Sequence, residues 1–322
     1  MSKPATILFV TSTRIGDAVL SSGVLAHLIA AHPGAAVTVV AGGPSAPLFA
    51  AVPGLERLIV LEKKPLSLHW LWLLKEIGMT RWDVLVDLRA APLLRLVRAS
   101  KHYHLGKTSK TRHRVQETAA IIGLADHPPA PRLWLSDADR AKAETLIRSD
   151  TPILAIGPIA NWKPKTWAPE NFAALIARIT GPDGFLPGAK VAFFGHQSER
   201  EKANAVLQSV AQERRIDLVG ELTLGEVGAC LARCAFFVGN DSGLMHMAAA
   251  SGIPTLGLFG PSRETLYAPF GARGAFVRPE KSFEDLMGGP VSDDADLMAG
   301  LGVEKAFGAA SSLWQKTSGL SS

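Results

Sequence analysis

Short apolar runs recur along the chain, each bounded by turn residues and followed by a stretch of helical spacing. Thr6-Ile7-Leu8-Phe9-Val10-Thr11 runs into Ser12-Thr13-Arg14-Ile15-Gly16-Asp17 and then into a helical pattern over 18–31. Pro152-Ile153-Leu154-Ala155-Ile156-Gly157 leads to a loop rich in Lys and Trp, then to Pro169-Glu170-Asn171-Phe172 and a helix reaching Ile179. Further strands are predicted at 36–40, 57–61, 84–88, 190–194, 217–219, 235–238 and 255–259. Such continuous apolar strands are buried on both faces. Their alternation with helical patterns predicts parallel sheets joined by crossover helices.

The two openings are alike, which predicts an α/β chain of two doubly wound, Rossmann-like domains. Ser136-Asp137 is expected to cap a helix to Ile147, and Arg148-Ser149-Asp150-Thr151-Pro152 reads as the linker into a fresh first strand. The expected domains are therefore 1–149 and 150–322, with 303–316 as an amphipathic tail helix on the second. Ligands of such sheets sit outside the carboxyl ends of the strands. The two domains are accordingly expected to face one another across a ligand cleft.

With 322 residues of which 47% are hydrophobic, the chain can fill two cores. Its net charge of +5 favours acidic partners such as phosphate, nucleotide or anionic lipid headgroups. Lys3 and Pro4 precede an apolar run too short for a signal peptide, so a cytoplasmic chain is expected. The longest nearly uncharged stretch, 240–262, is interrupted by Ser251-Gly252-Ile253-Pro254 and reads as helix, turn and strand instead of a membrane span. Cys230 and Cys234, four apart with no clustered His, read as small buried hydrophobes in a reducing compartment, not as zinc ligands. Asp137-Ala138-Asp139 and Asp294-Ala295-Asp296 have the spacing of a metal-binding pair, but one opens a predicted helix and the other lies in the tail. Both read as capping or solvated residues, and no metal and no cofactor is expected.

The stretch Val238-Gly239-Asn240-Asp241-Ser242-Gly243-Leu244-Met245-His246-Met247 carries the most chemistry. A buried strand ends there and a helix begins, so the first-turn amides have no internal partner and the helix dipole favours an anion. Gly243 would let a phosphate approach the backbone closely. Asp241 is either only the N-cap of that helix or part of the site. Three neighbouring loops follow strands of the same domain: Gly260-Pro261-Ser262, the lysines of Asn161-Trp162-Lys163-Pro164-Lys165-Thr166-Trp167, and Gly195-His196-Gln197-Ser198-Glu199. Amides, ammoniums and a carboxylate at one sheet edge suit a nucleoside diphosphate. Neither first strand is followed by Gly-x-Gly-x-x-Gly, which disfavours a Rossmann dehydrogenase.

At these residues the chain resembles glycosyltransferase family 9, the ADP-heptose:lipopolysaccharide heptosyltransferases. "FFVGNDSGLMHMAAASGIPTLGLFGPS", preceded by Leu218-Val219-Gly220, is similar to the family signature. "RIGDAVLSSGVL" over 14–25 resembles its amino-terminal motif, and "HRVQETAAIIGL" over 113–124 its mid-domain motif. "KTWAPENF" over 165–172 resembles its Lys-x-Trp-Pro motif with one extra residue before the proline. The resemblance implies the GT-B architecture, two Rossmann-like domains with the sugar nucleotide held mainly by the second. It further implies inverting, metal-independent transfer of a heptose from ADP-heptose to a lipopolysaccharide inner-core acceptor. In that reading the backbone of Ser242, Gly243 and Leu244 holds the diphosphate and Lys165 neutralises it. Asp241, His246 and Gly260 complete the donor site, and either Gln197 or Glu199 takes the ribose. Asp17, after Gly16 and near Arg14, would be the catalytic base. Asp17 could also cap a helix starting at Ala18, and the two roles are compatible.

Residues 95–114 contain Arg95, Arg98, Lys101, Lys107, Lys110, Arg112 and Arg114 with His102, His104 and His113, and no Asp or Glu. They read either as a solvated basic surface or as a pocket for an anionic glycolipid acceptor, with Lys107, Arg112 and Arg114 as its contacts. Nucleic acid is not an expected partner, since no recognition motif accompanies the charge. Leu66-Ser67-Leu68-His69-Trp70-Leu71-Trp72-Leu73-Leu74 follows Lys63 and Lys64 and either packs on the first sheet or dips into a membrane face. Other family members with a different nucleotide sugar, or a binding protein without transferase activity, are the competing readings.

Overall fold

The structure, a computed structural model, describes residues 3–148 and 150–319. The chain divides between Trp134 and Leu135 into two compact units. Helix α4 (Asp137–Leu146) packs against α7 (Leu224–Leu231) and so belongs to the second unit, which places the expected 149/150 linker inside that unit.

In the first unit, β1 (Thr6–Val10), β2 (Ala36–Ala41), β3 (Leu55–Val60), β4 (Trp82–Asp87) and β5 (Ala99–His104) form a sheet of order β3-β2-β1-β4-β5. Every pairing is parallel. Helices α1 (Ile15–Ala31), α2 (Leu68–Ile77) and α3 (Arg114–Ala120) accompany it. Ile7, Leu8, Phe9 and Val10 are fully buried, as their unbroken apolar run requires of a central strand.

The second unit repeats the plan. β6 (Ile153–Gly157), β7 (Lys190–Gly195), β8 (Arg215–Val219), β9 (Phe236–Asn240), β10 (Thr255–Leu258) and β11 (Gly274–Val277) are ordered β11-β10-β9-β6-β7-β8 and again all parallel. Its helices are α4 and α7 with α5 (Pro169–Thr180), α6 (Arg200–Gln208), α8 (Gly243–Ala250), α9 (Glu264–Tyr267), α10 (Phe283–Met287) and α11 (Val303–Ser318). The tail helix α11 packs its Ala306, Ala310 and Leu313 into the core of this unit beside α5. Two Rossmann-like parallel sheets were the expected fold class, and the chain has them.

Strand order reverses in each unit at the first strand, between β1 and β4 and between β6 and β9. In sheets of this kind the crevice outside the carboxyl ends at that point receives the ligand. Helix α1 begins at Ile15, three residues earlier than the pattern suggested, with Arg14 at the N-cap and no side-chain cap. Asp17 is thus the third residue of the helix and not its cap.

Candidate active site

The carboxyl end of β9 is locked to the loop after β6 by one buried side chain. Asn240, fully buried, donates from Nδ2 to Pro158 O at 2.7 Å and accepts the Trp167 amide on Oδ1 at 3.0 Å. Trp167 is itself buried and donates its indole N–H to Leu301 O at 2.9 Å. The loop therefore has a fixed course, and Lys165 within it reaches β9. Asn240 was not singled out from sequence, because both of its partners are backbone atoms more than seventy positions away.

Lys165 Nζ pairs with Asp241 Oδ2 at 2.6 Å, and both side chains are largely withdrawn from solvent. Asp241 is thereby not the helix cap. Ser242 is the N-cap of α8, in an extended conformation (φ −150, ψ 172), with no side-chain cap bond. The amides of Gly243, Leu244 and Met245 lie in the first turn, where no preceding carbonyl can accept them. The buried Ser242 Oγ has no hydrogen-bond partner among the described residues either. An uncapped helix start beside a lysine is a site for an anion: donors and the positive end of the dipole converge there. His246 is buried on α8, its Nε2 3.9 Å from Asp241 Oδ1, beyond hydrogen-bond reach but close enough for attraction if charged.

Two facing glycines make room for the Phe237 ring at these strand ends. Gly157 on β6 pairs in register with Gly239 on β9, and a Cβ on either would strike the Phe237 ring. Leu244 packs over Gly157, so α8 starts directly above the switch point.

The structure sorts the other predicted residues. Lys163 turns away from Lys165 and pairs with Asp294 of the tail at 2.6 Å, while the Trp162 indole donates to Asp293. Hydrogen bonding to Lys163 holds the Asp294 carboxyl below its usual range. Asp296 accepts from the Met298 amide, and Ser136 with Asp139 forms a capping box at the start of α4. Neither Asp-x-Asp pair is assembled as a pair. Among the described residues no three His, Cys, Asp or Glu side chains group as metal ligands. Cys230 and Cys234 are buried free thiols, and burial pushes Cys230 up to about 12.

Gly260 follows β10, next to β9 on the same sheet edge. Its lack of a side chain is required by packing, since a Cβ would meet Met298 Sδ and Leu297 O. Glu199 follows β7 on that edge, where its carboxylate accepts the His196 amide in a capping box. Gln197 lies against Gly220, which has a positive φ of 78°.

In the first unit, the segment from Thr11 to Arg14 is held before α1. The Thr11 amide donates to Val40 O at 2.9 Å, Ser45 Oγ donates to Ser12 O at 2.6 Å, and the Arg14 amide donates to Ser12 Oγ. Gly16 and Asp17 follow within the first turn, Asp17 half-buried and Arg14 exposed. A carboxylate at a helix N-terminus carried by a fixed loop is a preorganised acceptor of charge or proton.

The basic run does not form one patch. Its middle is the edge strand β5, and Lys107, Lys110 and Arg112 are exposed beyond it. Arg114 instead pairs with Glu117, three residues on, and donates to Ser109 O. Helix α2 divides its apolar residues between two faces. Leu73 and Ile77 enter the core of the first unit, whereas Leu68, Leu71 and Trp72 face outward, as does Leu66, 92% exposed, in the turn before the helix.

Two doubly wound parallel sheets, the second carrying an amide-rich helix start at its switch point, place the chain in the GT-B class of glycosyltransferase folds. The chain belongs to glycosyltransferase family 9 (heptosyltransferase), whose model matches residues 93–285. It is 30% identical over 168 residues to lipopolysaccharide heptosyltransferase 2 of Escherichia coli K12, covering 49% of this chain and 47% of that protein. It is also 26% identical over 270 residues to lipooligosaccharide heptosyltransferase 2 of Campylobacter jejuni, covering 80% and 82%. The match thus spans about half the length of the E. coli relative. Among solved structures, a family 9 glycosyltransferase from Veillonella parvula superposes with a TM-score of 0.80 at 21% identity, over 98% of this chain and 99% of that one. E. coli ADP-heptose LPS heptosyltransferase II does so at 0.75 and 19%, over 97% and 99%.

Proposed function

We propose that the chain transfers a heptose from ADP-heptose to an anionic lipopolysaccharide inner-core acceptor, by a single inverting displacement without a metal. The observation that carries this is the uncapped first turn of α8 with Lys165 held beside it on Asp241. The relatives support the choice of donor and acceptor: lipopolysaccharide heptosyltransferases are similar in sequence, and E. coli ADP-heptose LPS heptosyltransferase II is similar in fold.

As the anomeric C–O bond to the diphosphate breaks, negative charge gathers on the leaving phosphate. The amides of Ser242, Gly243 and Leu244, together with Lys165, stabilise it without reorganising, because strand and loop already fix them. Asp241 orients Lys165, His246 buttresses Asp241, and the backbone around Gly260 borders the same edge. Gln197 or Glu199 takes the ribose. The acceptor hydroxyl forms the new C–O bond and gives its proton to Asp17. Arg14, Gly16, Lys107, Arg112 and Arg114 contact the acceptor, Arg114 after exchanging its internal partner.

A thermal-shift panel of ADP, UDP, GDP and NAD tests the donor assignment. ADP is expected to raise the melting temperature most, and stabilisation by NAD in place of ADP would reject it. Transfer itself is read by the mass of an acceptor precursor incubated with ADP-heptose.

No described helix is long and apolar enough to cross a membrane. A lipid acceptor is met at a membrane surface, and the outward face of α2 with the turn before it suits that contact, with Lys64 over Trp72 at 5.5 Å and Leu66, Leu68 and Leu71 exposed. The chain is expected to sediment with phosphatidylglycerol vesicles, and Leu66→Ser with Leu71→Ser to abolish it. Equal sedimentation of the double variant would remove α2 from the contact.

A further inference from the structure

A second polar cluster lies at the switch point of the first unit, and the roles above do not use it. β4 ends in Asp87, fully buried. Its Oδ1 accepts the Arg89 amide and its Oδ2 the Ala91 amide, both at 2.8 Å. These two bonds pull the turn so tight that Ala90, not a glycine, takes a positive φ of 50°. Non-glycine residues in that region carry strain, and such strain concentrates at ligand sites. On the neighbouring strand, His104 Nδ1 lies 3.3 Å from Asp87 Oδ2 with its side chain 18% exposed. Imidazole Nδ1 is thus committed to a buried carboxylate, and Nε2 is the ring nitrogen left for a ligand. His102 stacks on the same ring.

The turn also places Arg89. Its guanidinium lies over the Trp70 ring, 5.2 Å from the centroid, and makes no hydrogen bond or ion pair with any described residue. Burial lowers its pKa, with the charge of Asp87 opposing the shift. A half-buried guanidinium with five unused donors, a carboxylate-anchored imidazole and a strained turn that fixes both make a site for an oxyanion.

We propose that Arg89 and His104, templated by Asp87, form a subsite for the carboxylate or phosphate of an anionic sugar. Arg89 supplies a planar donor pair and His104 presents Nε2. Asp87 is a positioning residue: it holds the Arg89 amide and His104 Nδ1 and does not itself meet the anion. The subsite lies at the carboxyl ends of β4, next to β1, and β5, one strand further out, on the sheet whose first strand leads into α1 and Asp17. It deepens the transferase reading and rests on it only for the claim that the anionic sugar is the acceptor.

The test is calorimetric titration of the full chain with glucose 6-phosphate, glucuronic acid and glucose, all in saturating ADP so that phosphate cannot enter at α8. One or both charged sugars are expected to bind, and glucose not. The phosphate and carboxylate arms show which oxyanion is preferred. Arg89→Gln should weaken that binding by about tenfold or more, as expected for a charge-assisted pair, and His104→Gln should weaken it less. Both variants should keep the ADP affinity of the unaltered protein, which shows that they fold. Charged sugars binding no better than glucose, or binding Arg89→Gln as tightly as the unaltered chain, would overturn the subsite. Absence of ADP binding would count against the transferase reading alone, because the loss of sugar binding in Arg89→Gln, with its melting temperature as the check on folding, still reads this subsite.

Discussion

Asp17→Ala is expected to lower kcat by about 10²- to 10⁴-fold, the usual contribution of a positioned general base, while leaving ADP affinity unchanged. Asp17→Asn should behave alike, since an amide fills the same space and cannot take a proton. The split between turnover and binding matters because Asp17 also sits in the first turn of α1. The helix-dipole share of removing that carboxylate is about 0.3–1 kcal/mol, small beside the about 5–15 kcal/mol that holds a domain folded. A large loss of rate with an unchanged melting temperature therefore assigns the proton transfer to this carboxylate. Normal turnover in either variant would exclude it. Steady-state kinetics with ADP titration on the same samples decides the matter.

Lys165→Ala is expected to have the larger effect on nucleotide binding, for two separable reasons. The ammonium–phosphate contact is lost, worth about 1.5–3 kcal/mol for a hydrogen bond to a charged group, or about ten- to a hundredfold in affinity. In addition, Asp241 loses its 2.6 Å partner and leaves a poorly solvated carboxylate beside the place assigned to the diphosphate. Adding Asp241→Asn to Lys165→Ala removes that repulsion, so the double variant should bind ADP more tightly than Lys165→Ala alone. A double-mutant cycle by calorimetry measures the coupling. Unchanged affinity in Lys165→Ala would take the lysine out of the site, and a double variant no better than the single one would show that Asp241 does not act through charge.

Much of this was legible in the residues. Unbroken apolar runs such as Ile7 to Val10 could only be central strands, and the helix start at Ser242-Gly243 announced itself by a buried strand ending in small and polar residues. What escaped notice depends on neighbours distant in sequence. β5 runs Ala-Ser-Lys-His-Tyr-His and was hidden in a basic run that reads as surface or acceptor pocket, because an edge strand with one open side needs no apolar alternation. Asp241 could be read as a cap or as part of the site; Lys165, brought in by the Asn240 clamp, takes its carboxylate and leaves the cap to Ser242. Arg114 belonged to an acid-free run, yet Glu117 lies just past its end and one helical turn away. Asp87 and Arg89 carried no motif at all. Their meaning comes from the turn between them and from His104 on the adjacent strand.

The first turn of α8 is the proposed seat of the departing diphosphate. A crystal structure of the chain with ADP tests this most directly. The β-phosphate oxygens are expected to accept from the amides of Ser242, Gly243 and Leu244 and from Lys165 Nζ. ADP bound with its phosphates elsewhere, and those amides turned toward other protein groups, would contradict it.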